Sequence, residues 1–253
     1  MTFLNPAAAS AQSPLPPVAS VEEVRARLAA VQARVAAAAT AAGREPSEIA
    51  VLPVTKTVPE ATLRLAAAAG VTRMAENKVQ EARAKAEAMA DLVITWSLIG
   101  HLQTNKAREV ATFASELQSL DSLRLAEALD RRLQAAGRSL EVYVQVNTSA
   151  EQSKSGLAPT EVPSFLKALA AYASLRVVGL MTIAANTEAD ARVRACFRLL
   201  RELRDQALDA GTVGAGRLSM GMSGDLEAAV AEGSTCVRVG QAIFGARRYP
   251  QAH

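Results

Sequence analysis

Short apolar runs alternate with amphipathic stretches along nearly the whole chain. The runs at 49–55, 71–75, 93–99, 116–120, 140–147, 175–182, 215–219 and 235–239 have the length and composition of strands. Between them, stretches at 59–69, 77–90, 103–113, 122–136, 160–173, 187–210 and 223–232 carry a helical pattern, and a short helical turn is expected at 241–244. Eight strands, each followed by a helix, predict an α/β protein built as a single (β/α)8 TIM-type barrel. A doubly wound open sheet is the alternative, since period alone cannot reveal closure. An extra helix precedes the first strand. Ser20 can cap it, Glu23 completes a capping box, and Val21, Val24, Leu28, Val31 and Val35 share one face before Gly43 and Pro46 end it. Residues 1–19 are rich in Ala, Ser and Pro without a period and are expected to be a disordered tail, which leaves 20–248 as the barrel domain.

Within the strands the alternation separates two faces. In 140–147, Val142, Val144 and Val146 point toward covering helices, and Tyr143, Gln145 and Asn147 point into the barrel. In 235–239, Val237 and Val239 face out while Cys236 and Arg238 face in; in the first strand Leu52, Val54 and Lys56 share a face. Polar groups at the carboxyl ends of inward faces are what a barrel site requires. Pro53 removes a ladder donor from a strand that should have no free edge, so a local irregularity is expected just before the lysine.

Composition narrows the class. A chain of 253 residues, half of them apolar and few aromatic, suits one large domain with an aliphatic core. The net charge of +3 comes from scattered basic residues, with no arginine stripe interleaved with aromatics, which argues against nucleic acid as a partner. Cys196 and Cys236 are too few for a disulfide framework and read as buried thiols. His101 and His253 belong to no metal-ligand spacing. No apolar run reaches the roughly 20 residues needed to cross a bilayer. The N-terminus lacks a basic residue before Arg25 and is interrupted by Pro14, Pro16 and Pro17, so it is not a secretory signal, and a cytoplasmic protein is expected.

Lys56 is the first chemical candidate. Burial at the end of a barrel strand disfavours the ammonium form, and a neutral amine can condense with an aldehyde as a Schiff base; a solvated loop lysine is the other reading. The turn Ser219–Asp225 has two glycines that let backbone approach a ligand, and Ser223 is either a helix cap or a phosphate ligand. Asp225 and Glu227 would have to point away from such an anion. Arg238-Val239-Gly240-Gln241 ends the last strand, where barrels commonly seat phosphate; Arg238 could instead pair with a structural carboxylate. Asn77 either caps a helix or contacts a ligand ring. The polar loop 149–156 reads as a lid or rim, and His101 as a structural loop residue. Neither a Ser/His/Asp set nor a GxxxxGK[ST] loop is present. An aldehyde trap with a phosphate seat suggests pyridoxal 5'-phosphate (PLP).

Several longer stretches then carry a resemblance: V-T-K-T at 54–57, E-N-K-V-Q-E at 76–81, I-G-H-L-Q-T-N-K at 99–106, Q-V-N-T-S-A-E-Q-S-K-S-G at 145–156, G-L-M-T-I at 179–183, L-S-M-G-M-S at 218–223 and G-S-T-C-V-R-V-G-Q-A-I-F-G-A-R at 233–247. Together they resemble the pyridoxal phosphate homeostasis protein family over about residues 20–248. The resemblance implies a barrel like the N-terminal domain of alanine racemase, with PLP as cofactor. It implies Lys56 as the Schiff-base lysine, Asn77 near the ring, Ser223, Gly240 and Gln241 as phosphate ligands, and Arg238 opposite the pyridine nitrogen. Met74-Ala75, Lys78, Ser97 and Gln241 stand where Phe-Gly, Tyr, His and Thr are usual, so at 241 the backbone amide is what carries over. The expected function is holding PLP without catalysis, as a monomer that hands the cofactor to PLP-dependent apoenzymes. The alternative is an amino-acid racemase. That reading needs a second acid/base, which alanine racemases take as a tyrosine from a further domain and a partner subunit. Here the chain ends soon after the barrel, and no motif places Tyr143, Tyr172 or Tyr249 for that role.

Overall fold

The structure, a computed structural model, describes residues 15–187 and 189–245. Eight strands lie in the order β1-β8-β7-β6-β5-β4-β3-β2: β1 Ala50–Pro53, β2 Arg73–Glu76, β3 Thr95–Leu98, β4 Glu116–Leu120, β5 Leu140–Gln145, β6 Leu175–Met181, β7 Arg217–Ser219 and β8 Cys236–Val239. Every paired neighbour is parallel. The two ends of the sheet meet through a parallel bridge between Val54 and Ala75, where the Thr55 N–H donates to the Ala75 carbonyl at 2.9 Å. That contact closes the cylinder and decides between the barrel and the open sheet. The helices are α1 Val21–Ala41, α2 Glu60–Ala68, α3 Val79–Ala88, α4 Ala107–Phe113, α5 Leu123–Ala135, α6 Val162–Leu169, α7 Asp190–Asp209, α8 Leu226–Ala231 and α9 Gln241–Phe244. Each strand is followed by one of α2 to α9, as the sequence pattern predicts.

Burial follows the two-face alternation. Val142, Val144 and Val146 are buried in the shell between barrel and helices, as are Val237 and Val239 beside α1 residues Val24, Val31 and Val35. Inside the barrel, Leu52, Val54, Ala75 and Cys236 form one small cluster and Tyr143, Val178 and Met181 another. Both cysteines are buried thiols. The Ser20 hydroxyl accepts from the Glu23 N–H at 3.1 Å. The Glu23 carboxylate accepts from the Ala19 N–H at 2.6 Å, one residue before the position a reciprocal capping box uses.

Of the expected tail, residues 1–14 lie outside the described residues, as do 246–253 with Tyr249 and His253. Residues 15–19 have a defined place instead: Val18 is buried in the cluster that holds Ile243 and Phe244, and Arg27 donates to the Pro16 carbonyl at 2.8 Å. Residues 15–19 thus pack on the barrel, with Val18 covered beside α9.

Pro53 is accommodated at the seam. Ala50 and Val54 donate to β8 at Thr235 and Val239, whereas Thr55 donates across to Ala75. The missing donor of Pro53 therefore faces β2, where the ladder is reduced to the closing bridge. At Gly179 the opposite applies, since β6 and β7 approach so closely that a Cβ there would collide with the backbone of Arg217. Gly179→Ala is expected to cost at least about 1–3 kcal/mol, read as a fall in the urea midpoint at unchanged m-value.

Candidate functional site

The carboxyl ends of the strands surround a cavity of about 800 Å³. All six residues singled out from sequence line it: Lys56, Asn77, Ser223, Arg238, Gly240 and Gln241. Its volume falls in the range of small-ligand sites.

Lys56 follows β1 and is half-buried at the cavity wall, so neither a wholly buried strand lysine nor a solvated loop lysine describes it. Its two neighbours are tied down from behind the barrel. The Thr55 hydroxyl donates to Glu76 Oε1 at 2.6 Å, and the Thr57 N–H donates to Glu81 Oε1 at 2.8 Å. Thr57 has φ of 64°, in the left-handed region where a β-branched residue costs about 1–3 kcal/mol and persists only if its surroundings enforce it. Between the two carboxylates lies Lys85 of α3, whose ammonium donates to Glu76 Oε1 at 2.6 Å, Glu81 Oε1 at 2.7 Å and the Thr55 carbonyl at 2.9 Å. Burial pushes the Glu76 carboxyl above its ordinary pKa, opposed by Lys85 and Thr55. Glu81 moves below its ordinary value: its partial burial raises it, but bonds from Lys85 and Thr57 outweigh that.

Arg238 occupies the interior end of the cavity. It is 4% exposed, and burial lowers its pKa without discharging it. Its guanidinium forms no ion pair among the described residues. It donates to Ser219 Oγ at 2.8 Å and to the Thr182 carbonyl at 2.9 Å. The Ser219 hydroxyl donates onward to Gln118 Oε1 at 2.7 Å, Gln118 Nε2 donates to Glu116 Oε1 at 2.8 Å, and Glu116 Oε2 accepts from Arg73 at 3.1 Å. A guanidinium can only donate and a carboxylate can only accept, so the hydroxyl and the amide between them are held in one polarity. The relay stabilises the buried cation from a distance. It also leaves N–H donors on Arg238, which lines the cavity.

The two capping readings give way to cavity-lining ones. α8 begins at Leu226 with Asp225 as its N-cap, not Ser223. α3 begins at Val79 with Lys78 as its N-cap, not Asn77. Asp225 accepts the Met222 N–H within its own loop and Glu227 pairs with Arg34 of α1 at 2.8 Å, and neither acid lines the cavity. Gly240 packs against Val54, where a Cβ would sit 3.0 Å from the Val54 carbonyl. Gly100 is pressed onto the backbone of Asn77 and leaves no room for a side chain. Gln145 and Asn147 do point inward, but their amides hold the 149–156 loop: Gln145 donates to the Ser155 carbonyl at 3.0 Å and Asn147 to the Glu151 carbonyl at 2.9 Å. The loop is thereby a tied rim, contributing Ser153, Lys154 and Ser155 to the wall. His101 sits at the edge, 3.5 Å from Asp121, whose pKa burial raises. Tyr143 lies deep in the barrel and Tyr172 packs on the outer shell; neither lines the cavity.

Sequence reasoning missed Glu116, Gln118 and Lys85. The alternation in Glu116-Leu117-Gln118 does place the two polar residues on one face, and that signal was readable. Lys85 gives no such signal, since Glu81 and Lys85 at a spacing of four read as an ordinary surface pair. Among the positions that depart from the resemblance, Ala75 joins the interior cluster, Lys78 is exposed, and the buried Ser97 hydroxyl has no hydrogen-bond partner.

The closed barrel and its polar mouth define the class of the alanine racemase N-terminal domain, whose family model matches residues 26–248. Alanine racemase from Streptomyces coelicolor superposes with a TM-score of 0.71 at 20% identity, covering 88% of this chain and 58% of that one, a likeness of fold alone. PipY of Synechococcus elongatus, solved with PLP bound, superposes with a TM-score of 0.76 at 35% identity, covering 88% of this chain and all of that one. The pyridoxal phosphate homeostasis protein of Pseudomonas aeruginosa is 45% identical over 222 residues, 88% of this chain and 95% of its own length. The chain belongs to the pyridoxal phosphate homeostasis protein family.

Proposed function

We propose that this chain binds PLP in the barrel cavity as a Schiff base on Lys56 and serves PLP homeostasis without turning substrate over. The observation that carries the reading is Arg238: a buried cation with no ion pair among the described residues, lining a cavity that Lys56 also lines. Such a group calls for a ligand acceptor, and a pyridine nitrogen is one. When bound, PLP supplies an aldehyde carbon to which the Lys56 amine would add in its neutral form, the aldehyde oxygen leaving as water with the two amine hydrogens. Ser223, Gly240 and Gln241 would hold the phosphate. The release of Ser223 from capping and the absence of Asp225 and Glu227 from the cavity lining favour this. Asn77 would lie against the ring.

The same arginine would tune the ring. A donor-only group opposite the ring nitrogen keeps that nitrogen unprotonated and the ring a poor electron sink. Among the described residues, no tyrosine lines the cavity to act as a second acid/base. A monomeric carrier in the cytoplasm that releases PLP to apoenzymes fits this chemistry. The PLP-loaded protein incubated with L-alanine and other L-amino acids is expected to form no D-enantiomer at enzyme-like rates. Turnover on the order of 1 per second or faster, followed by chiral chromatography, would replace the carrier reading with the racemase one.

A further inference from the structure

We propose that Lys85 is a positioning residue for Lys56: with Glu76 and Glu81 it forms a buried latch on the outer face of the β1–β2 seam that fixes the direction of the Lys56 side chain. The proposal rests on the reading that Lys56 meets the aldehyde of PLP, and deepens it. At its carboxyl end strand β1 has thin lateral support on one side, because the ladder to β2 is reduced to the Val54–Ala75 bridge beside Pro53, while β8 pairs it on the other. Beyond that bridge, the latch holds Thr55 and Thr57 on either side of the lysine. Lys85 has three donors and no acceptor, and all three are engaged: two carboxylates and the Thr55 carbonyl. Glu76, fully buried, also takes the Thr55 hydroxyl. Glu81 takes the Thr57 N–H and so holds the left-handed turn that follows the lysine.

Lys56 thus hangs between two residues that are each tied to one ion cluster, while its own side chain reaches the cavity wall. Buried ion pairs contribute little net stability but can enforce one arrangement. An arrangement that aims a nucleophile is worth much more to bond formation than to simple binding, since misplacement by about 1 Å can cost about 100-fold in a reaction. That difference separates positioning from general support of the fold.

The test compares two ligands in the full-length protein. PLP can condense with Lys56; pyridoxine 5'-phosphate keeps the ring and phosphate but carries an alcohol in place of the aldehyde. In Lys85→Met and Glu81→Ala, the dissociation constant for PLP is expected to rise at least about tenfold and borohydride trapping to slow, while that for pyridoxine 5'-phosphate stays within about twofold of wild type. Should Lys85→Met fail to fold, Glu81→Ala carries the test, since Glu81 is only partly buried. Unchanged PLP affinity and trapping, or equal weakening toward both ligands, would overturn the latch. Wild-type protein that binds neither compound would overturn the cofactor reading itself, and the latch with it.

Discussion

A Lys56→Ala protein is expected to lose the visible absorbance band of bound PLP and to yield no borohydride-fixed adduct. Lys56 is the residue at the end of β1 whose side chain lines the cavity, and its backbone neighbours are held from both sides. Removing the amine removes the covalent bond but leaves the cavity, Arg238 and the proposed phosphate seat. Affinity should therefore fall by roughly 100-fold or more, with weak noncovalent binding remaining. Absorbance titration measures the band, and equilibrium dialysis measures the residual binding. An adduct that survives in this variant would move the nucleophile elsewhere, with Lys154 the other lysine lining the cavity among the described residues.

The second large effect is expected at Arg238, and it separates ligand binding from fold stability. Arg238→Met keeps an unbranched side chain and deletes a charge that the barrel stabilises through the Thr182 carbonyl and the relay of Ser219, Gln118 and Glu116, with no ion pair among the described residues. The Ser219 hydroxyl can still donate to Gln118, so the relay beyond it survives. Unliganded stability should change by less than about 1 kcal/mol, in either direction, because the lost bonds are offset by relief from burying a cation. Ligand-induced stabilisation should change far more. Wild-type protein at a PLP concentration 100 times its dissociation constant gains about 2.7 kcal/mol, and a variant binding 100-fold more weakly gains about 0.4 kcal/mol at the same concentration. Thermal or urea unfolding with and without PLP reads both quantities. A variant that unfolds early without PLP but keeps its PLP-dependent gain would make Arg238 a structural residue.

Much of this architecture was legible in the chain. Parallel barrel strands are covered on both faces and so stand out as compact apolar runs, which is why all eight appear close to their expected places. Closure was not legible, because it depends on a contact between the first two strands that no periodicity encodes. The inward faces of β1, β5 and β8 followed from alternation, and with them Lys56, Tyr143 and Arg238. What the pattern could not supply was the partner of Arg238. A carboxylate inside the barrel does exist, Glu116, but it reaches the guanidinium through a hydroxyl and an amide, not directly. Ser223 and Asn77 looked like helix caps because their helices were expected to begin there. The helices begin two residues after Asn77 and three after Ser223, and both residues line the cavity instead. Lys85 was hidden because the sequence gives spacing and not depth. At the same spacing from a glutamate, Arg83 with Glu87 is an exposed pair, while Lys85 with Glu81 is most of the way inside.

Covalent capture of PLP is expected at one amine, that of Lys56. The most direct test is borohydride reduction of the wild-type protein incubated with PLP, followed by proteolysis and mass mapping of the modified peptide. A phosphopyridoxyl group on Lys56 at about one per chain is the predicted result; the label on Lys85, Lys154 or another lysine with Lys56 unmodified would contradict it.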